Sequence, residues 1–365
     1  MKKKILLTLL AVSVVASLTA CGKKEKDPVG EPVTIEVEAI EEESEVATEE
    51  EDTDVLPEGK VWSELSGLAV DKAIENQRPI AAMVDNEKTA YPHFGLNSAD
   101  VIYEIMNSTA NDHITRLMVI YKDWGNIEQL GSIRSVRPTN FMLAAEYNAV
   151  LCHDGGPFYI DEYIAKDYSR NFSGVFSRVK NGKATEFTEY IVKGDLEKAF
   201  SKSKWTEEYD EYYEGPHFTF APSASPITNE EGEAAENVDL SAAFGHTSSM
   251  LKYDAQTGLY TYWAYGSEHL DGKTKEPLTF KNVILQKTSY SQLDKNGYLI
   301  YNCICEDWDG YYITNGKAVK IKWSKLGEKD QTKYYLENGD EITLNNGMTY
   351  ISLVPDDAWD DITLN

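Results

Sequence analysis

The sequence is poor in positive charge, in cysteine and in long apolar segments. Lys and Arg number 35 against 61 Asp and Glu, which gives a formal net charge of -26 over 365 residues. Binding to nucleic-acid phosphates needs clustered cations, so we expect no nucleic-acid partner. The 4 Cys are too few for a disulfide scaffold. Apolar residues nevertheless make up 42% of the chain, enough for the cores of about two domains.

The N-terminus has the features of a lipoprotein signal. Three Lys at positions 2–4 precede an apolar run at 5–18, which is too short to span a bilayer. The run ends in Leu-Thr-Ala-Cys-Gly, which resembles a bacterial lipobox with Cys21 as the lipidated residue. Acyl chains such as palmitate contribute about 0.8 kcal/mol per buried methylene. We therefore expect residues 1–20 to be a signal peptide and Cys21 to anchor the chain at the extracytoplasmic face of the cell membrane; the alternative is an ordinary secretory signal.

The charge is distributed unevenly along the mature chain. Residues 22–60 hold 15 acidic residues and 4 Lys, a net charge of -11, and no aromatic residue. Such a segment repels itself and stays extended, so 21–60 is predicted to be a disordered tether, with a passive spacer favoured over a binding role. The remaining 61–365 keep a net charge of -18.

Apolar patterns and turn residues divide the rest of the chain. Short apolar runs at 79–85, 101–106, 114–121 and 149–152 predict buried strands, with 101–121 as a long hairpin. Pro138 opens a predicted helix at 138–147. A stretch rich in Pro, Gly and acids places a linker at 223–243, between an α/β domain at 61–222 and a β-rich domain at 244–365. In the second domain Asn315-Gly316 predicts a hairpin turn.

Several motifs occur in an order that resembles one known family. They are Arg-Pro-Ile-Ala-Ala-Met-Val-Asp-Asn at 78–86, Gly-Leu-Asn-Ser-Ala-Asp at 95–100, Tyr-Glu at 103–104, Ile-Thr-Arg at 114–116, Gly-Ser-Ile-Arg-Ser-Val-Arg-Pro at 131–138, His-Asp-Gly-Gly at 153–156, Asn-Val-Ile-Leu-Gln at 282–286 and Gly-Met-Thr-Tyr-Ile-Ser-Leu-Val-Pro at 347–355. Together, over about residues 76–357, they resemble the YerB-like bacterial lipoproteins, a family with a domain of unknown function.

The resemblance carries expectations about fold and location. It implies an α+β fold, with a layered β-β-α N-terminal domain and a smaller, mostly antiparallel β C-terminal domain. It also implies a lipid-anchored protein in a Gram-positive-type cell envelope with a cell-wall connection, and it supplies no catalytic mechanism. The family pattern leads us to expect a basic stretch and Pro-His-Asn after residue 178, and this chain departs from that pattern. This chain instead reads Lys-Ala-Thr-Glu at 183–186, so a site that used that His is altered or was never essential.

Two groups of side chains stand out as candidates for chemistry. Arg134, Ser135 and Arg137 lie just before the predicted helix, and Arg116 heads a neighbouring strand; guanidiniums at a helix start favour an anion. The alternative is structural pairing of these arginines with Glu104 or Asp100. The second group lies just after the ends of predicted strands, where ligands often bind. His153, Gly155 and Gly156 follow one strand, and Asp85, Asn86 and His93 follow another. The full set of ligand-binding candidates is Asp85, Asn86, His93, Glu104, Arg116, Arg134, Ser135, Arg137, His153, Gly155 and Gly156.

Three functions remain open from the residues. The first is binding of a polar or anionic cell-wall ligand by the Arg-rich loop. The second is an interaction scaffold for peptidoglycan or a cell-wall protein, because Trp263, Trp308 and Trp323 populate the β-rich part. The third is an envelope hydrolase or transferase with Ser135, His153 and a carboxylate, although no nucleophile elbow, phosphate loop or zinc motif occurs. Neither a metal nor a cofactor is predicted, and no catalytic residue is assigned.

Overall fold

The computed structural model describes residues 55–365, and most regular structure in this part is strand. The strands, numbered along the chain, are β1 (Lys60–Trp62), β2 (Ala69–Asp71), β3 (Ile80–Asp85), β4 (Val101–Met106), β5 (Thr115–Tyr121), β6 (Gln129–Gly131), β7 (Val150–His153), β8 (Asn171–Ser173), β9 (Ser177–Arg178), β10 (Glu189–Val192), β11 (Glu233–Ala234), β12 (Asn237–Asp239), β13 (Met250–Asp254), β14 (Leu259–Ala264), β15 (Ser267–Glu268), β16 (Thr279–Phe280), β17 (Asn282–Thr288), β18 (Tyr290–Gln292), β19 (Leu299–Tyr301), β20 (Cys305–Thr314), β21 (Lys317–Lys325), β22 (Lys333–Leu336), β23 (Thr349–Pro355) and β24 (Thr363–Leu364).

Helices are short and few within the same residues. They are α1 (Ala110–His113), α2 (Pro138–Glu146), α3 (Asp161–Ile164) and α4 (Asp195–Lys202), with single 3₁₀ turns at Lys72–Ile74, Lys88–Ala90, Leu96–Ser98, Trp124–Asn126, Phe158–Ile160, Thr185–Phe187 and Trp359–Asp361. Asn111, Asp112 and His113 all have positive φ, so α1 is a left-handed turn that closes the β4–β5 hairpin. No helix in 55–365 is long and apolar enough to cross a membrane.

The core is built on an eleven-stranded sheet that draws on both predicted halves of the chain. Its order is β11-β21-β20-β17-β23-β4-β5-β3-β7-β8, with β22 also paired to β21. Strand β23 lies parallel to both β17 and β4, and all of its residues are buried, as parallel strands covered on both faces require. The C-terminal strand β23 therefore joins the two halves through backbone hydrogen bonds.

Smaller sheets complete the β-structure. One has the order β15-β14-β13-β12-β24 with β16 on β14, another has β6-β10-β9, and β1-β2 and β18-β19 form two-stranded pairs. A fold rich in strands and divided among several sheets agrees with the expectation from sequence. The β-β-α layering and the domain bounds at 223–243 stay predictions.

Helix α2 begins where the sequence places it, for local reasons. Pro138 occupies the first turn, where a missing N–H costs nothing, and the backbone N–H of Arg137 donates to the side chain of Asn140 at 2.9 Å. Every residue of α2 is buried. At its end Glu146 forms an ion pair with Lys325 of β21 at 3.1 Å, and both side chains are fully buried. This pair fixes α2 against the strands of the C-terminal part.

Several predictions made from the N-terminal sequence fall on residues 1–54. The signal peptide, the lipidation of Cys21 and most of the acidic tether lie outside the described residues. They remain predictions.

Candidate functional site

The Arg-rich loop is attached along the end of strand β3. Asp85 pairs in register with Arg116 of β5. The loop then crosses them, because the Asp85 N–H donates to the carbonyl of Ser132 at 3.0 Å and the Arg134 N–H donates to that of Met83 at 2.9 Å. The sheet and the loop therefore bring Asp85, Arg116 and the 134–137 segment to one place.

Arg134 is the arginine whose charge is met by carboxylates. Its Nε lies 2.6 Å from Asp85 Oδ2 and its Nη2 lies 3.0 Å from Glu186 Oε2. The guanidinium also stands 5.3 Å from the ring centre of Phe187. Structural pairing thus describes Arg134, with partners other than Glu104 or Asp100. Glu186 belongs to the segment in which this chain departs from the family pattern.

Arg116 and Arg137 are buried and have no carboxylate partner within the described residues. Their exposed fractions are 8% and 7%. A guanidinium N–H of Arg116 donates to the carbonyl of Ser135, and its Nε is buried without a hydrogen-bond partner. Arg137 donates to the carbonyls of Asn107 at 3.2 Å and Val136 at 2.9 Å. Two guanidinium charges are therefore buried, and their hydrogen bonds go only to carbonyl oxygens.

The electrostatics of this pair follow from burial. Burial, and then the charge of Arg116, lower the pKa of Arg137 to about 9. Burial also lowers the pKa of Arg116 to about 10, although Asp85 opposes the change. Both side chains stay protonated at neutral pH. An anion between them would supply the missing negative charge and raise both pKa values.

A narrow recess opens beside the two guanidiniums. It is also lined by Asn107, Thr139 and Asn140, and its volume is about 10 Å³, which is room for roughly one water-sized group. One oxygen of an oxyanion fits there, and the rest of a ligand would lie outside. Ser135 and Tyr298 are half-buried and belong to the same surroundings, since the Tyr298 ring centre is 4.3 Å from the guanidinium carbon of Arg137.

The His153 loop lies beside the Arg-rich loop but does not form a catalytic set with it. The Asp154 N–H donates to the carbonyl of Arg134, and the Val136 N–H to that of Gly155. A side chain on Gly156 would meet Ile160 at 2.5 Å, so this glycine allows close packing. His153 Nδ1 bonds the Gly155 carbonyl at 2.8 Å, and its Nε2 is buried without a partner. In the described part of the chain no hydrogen bond joins Ser135 to His153.

The remaining candidates form an inner cluster that does not reach the Arg-rich loop. Glu104 is fully buried and accepts hydrogen bonds from Asn86 at 3.1 Å, Thr115 at 2.8 Å and Tyr350 at 2.7 Å. Burial raises the pKa of Glu104, and the hydrogen bonds from Tyr350 and Thr115 oppose the change. His93 contacts the Asp85 carbonyl at 2.6 Å. The Asp85 side chain therefore faces the loop, whereas Asn86, His93 and Glu104 face the interior.

Sequence reasoning missed a pair of carboxylates around Arg178. Arg178 Nη2 lies 2.7 Å from both Asp154 Oδ2 and Glu189 Oε2. Burial, and then Asp154, raise the pKa of Glu189 to about 7. Asp154 is part of the His-Asp-Gly-Gly motif, but no spacing in the sequence links it to Glu189. Among residues 55–365 no group of three or more His, Cys, Asp or Glu is arranged to hold a metal ion.

Comparisons with known proteins agree on one family. Two sequence models match, the N-terminal domain of "Protein of unknown function (DUF3048)" at residues 65–206 and its C-terminal domain at 240–351. The chain is 23% identical over 310 residues to the "Putative lipoprotein YerB" of Bacillus subtilis (strain 168), covering 81% of this chain and 87% of that protein. The crystal structure of YerB from Bacillus subtilis matches with a TM-score of 0.71 at 20% identity, covering 84% of this chain and 100% of that one. That likeness shows a shared fold.

Proposed function

Since the chain belongs to the DUF3048 family of proteins of unknown function, we propose that it is an extracytoplasmic lipoprotein that binds an oxyanion of the cell envelope. The binding site is the pair of guanidiniums of Arg116 and Arg137 with Ser135 and Tyr298 at its edge, called here the Arg116–Arg137 site. The ligand group is a carboxylate or a phosphate. Family membership brings no activity with it, so the proposal depends on the residues.

The envelope location is supported by the N-terminal sequence. A basic start, a short apolar run and Leu-Thr-Ala-Cys-Gly ending at residue 22 are the parts of a lipoprotein signal. The Bacillus subtilis relative carries the name "Putative lipoprotein YerB". The acidic segment at 22–60 would hold the folded part away from an anionic surface by charge repulsion.

The observation that carries the ligand proposal is the missing counter-charge at Arg116 and Arg137. A buried charge is costly unless it is paired, and within 55–365 neither arginine has a carboxylate partner. Arg134, which lies three residues before Arg137, has two carboxylate partners. The planar guanidinium fork suits carboxylate and phosphate oxygens, and the unpartnered Nε of Arg116 is a donor ready for one.

A second candidate function rests on the carboxylates around Arg178. Asp154 and Glu189 share one guanidinium nitrogen, and their pKa values are pushed apart, with that of Asp154 lowered and that of Glu189 raised to about 7. Such a pair can serve as general base and general acid. An envelope hydrolase is therefore the alternative, tested by turnover of peptidoglycan fragments with the native chain and Glu189→Gln. Turnover by the native chain but not by Glu189→Gln would favour the hydrolase.

The test of the ligand proposal separates the two oxyanions. The full chain is purified in a nonionic detergent and titrated calorimetrically with muropeptides, which carry carboxylates, and with poly(glycerol phosphate). We expect one probe to bind, and Arg137→Gln to weaken its binding about tenfold or more. Arg178→Gln is the matched control, because its charge is already met by two carboxylates, and should bind normally. Failure of both probes to bind, or equal binding by Arg137→Gln, would contradict the proposal.

A further inference from the structure

A larger pocket lies at the other end of strand β5, away from the Arg116–Arg137 site. Arg116 and Tyr121 stand near opposite ends of this strand, five residues apart, which corresponds to roughly 17 Å. The pocket has a volume of about 400 Å³ and is lined by Phe94, Tyr121, Ile127, Gln129 and other residues of the same loops, together with the 271–274 turn. That volume is in the range of small-molecule sites.

The walls of this pocket come from distant parts of the chain, and hydrogen bonds donated by backbone N–H groups hold them together. The Gly95 N–H donates to Asp271 Oδ2 at 2.7 Å, and the Gly272 N–H donates to the His93 carbonyl at 2.7 Å. Gly95 has a φ of +77°, and a side chain there would meet the Gln129 carbonyl at 2.4 Å. The 271–274 turn is therefore fixed against the 93–97 loop, and the pocket is preformed.

Two amide side chains of the pocket have a polar group without a protein partner within the described residues. The side-chain oxygen of Asn97 is buried without a hydrogen bond, although its nitrogen donates to the carbonyls of Glu276 and Pro277. The side-chain amide of Gln129 has no hydrogen bond to another residue of the described chain. Phe94 is half-buried and adds an aromatic surface beside these amides. A ligand with hydroxyl groups around an apolar face would match this combination.

The charged residues of the lining argue against an ion as the ligand. Asp271 receives the backbone N–H groups of Gly95, Lys273 and Thr274 at 2.7 to 2.9 Å, and Glu128 forms an ion pair with Lys193 at 3.1 Å. A third carboxylate of the lining, Asp123, accepts a hydrogen bond from the Asn126 amide at 2.8 Å, so each carboxylate already has a partner, which leaves little attraction for a cation. Three carboxylates against the one ammonium of Lys273 leave a net negative charge, which disfavours an anion.

We propose that this junction pocket binds a neutral sugar ring, whose hydroxyl groups reach the side-chain amide of Gln129 and whose C–H face packs on Phe94. This ligand differs from the oxyanion of the Arg116–Arg137 site, and the two sites are independent. A polymer that contains both sugar rings and acidic groups would engage both.

The test uses the full chain in a polyoxyethylene detergent, which contains no sugar that would compete. Cellotriose and tri-N-acetylchitotriose are the probes, spermidine is the cationic comparison, and binding is measured by calorimetry. We expect a saccharide to bind and Gln129→Leu to weaken it about tenfold, the effect of one lost hydrogen bond beside a desolvated partner. Gln256→Leu, at an exposed turn, is the control and should bind normally.

The outcomes are distinct from those at the other site. Binding of spermidine in place of the saccharides, no binding of either saccharide, or equal binding by Gln129→Leu and Gln256→Leu would overturn the sugar proposal. Arg137→Gln should leave saccharide binding unchanged. Gln129→Leu should leave muropeptide and poly(glycerol phosphate) binding unchanged, so that either proposal can fail alone.

Discussion

Replacing Arg137 by Met should leave the fold about as stable as before if this arginine is kept for a ligand. The guanidinium is 7% exposed and lacks a carboxylate within the described residues. A residue that holds the fold together would behave in the opposite way. The unfolding free energy of Arg137→Met therefore separates a ligand-binding arginine from a structural one.

The size of the effect follows from the contacts of Arg137. Its pKa is lowered from 12.5 to about 9, which corresponds to ~5 kcal/mol against the charged form. Two hydrogen bonds to the carbonyls of Asn107 and Val136 are lost in the variant, at about 1.5–2 kcal/mol each because the donor is charged. The stacking on Tyr298 contributes about 1–2 kcal/mol. The gain and the losses nearly cancel, so the free energy of unfolding without ligand should change by about 1 kcal/mol or less.

The assay is denaturant unfolding near neutral pH without phosphate or other oxyanions. A second variant shows how much stability is lost when a structural buried charge pair is broken. Lys325→Met removes one partner of the buried pair with Glu146 and should cost about 3–5 kcal/mol. A loss of about 2 kcal/mol or more in Arg137→Met would refute the reasoning and make the guanidinium a structural group.

Three further predictions concern buried titrating groups and the anchor. Burial raises the pKa of Glu104 above its ordinary value of 4.5, so the stability that its protonated form contributes is lost as pH rises above that value; Glu104→Gln should flatten this fall in the free energy of unfolding, and an equally steep fall would count against it. Burial lowers the pKa of His269 to about 4, so the fold favours the neutral ring and loses stability as pH falls below about 6.5. His269→Gln should reduce that acid-side loss, and an unchanged pH profile would contradict it. Cys21→Ala should release the protein to the medium in cell fractionation, whereas continued membrane retention would argue against lipidation.

The local elements of the core could be predicted because their signals are local. Strand β4 spans the predicted 101–106, β5 begins one residue later than predicted, and α2 begins at Pro138 as predicted. The two strands are mostly apolar runs and the helix begins at Pro138, so short-range signals indicate the type of each element and its approximate ends. The hairpin turn at Asn315-Gly316 is likewise confirmed between β20 and β21.

The pairing of distant strands could not be predicted in the same way. Strand β23 lies between β17 and β4 in parallel register, and no short-range pattern encodes which two buried strands will be its neighbours. The sharing of one sheet by both halves of the chain is therefore absent from the sequence reasoning.

For the site, the sequence indicated which arginines lie near one another but not which partner each side chain contacts. Arg134 and Arg137 are three positions apart, yet Arg134 meets Asp85 and Glu186 while Arg137 meets carbonyl oxygens. The chain turns into α2 between them, so their side chains enter different surroundings. Partners such as Glu186 and Glu189 come from later loops, whose approach depends on the tertiary fold.

The most direct measurement of the central claim is calorimetric titration of the full chain with inorganic phosphate and with acetate at low ionic strength. The native chain and Arg178→Gln should bind one of these anions with equal affinity, and Arg137→Gln should lose about tenfold or more. Arg137→Lys keeps the charge without the guanidinium fork and should fall between them. Equal affinity in all four proteins, or no binding to the native chain, would contradict an oxyanion site at Arg116 and Arg137.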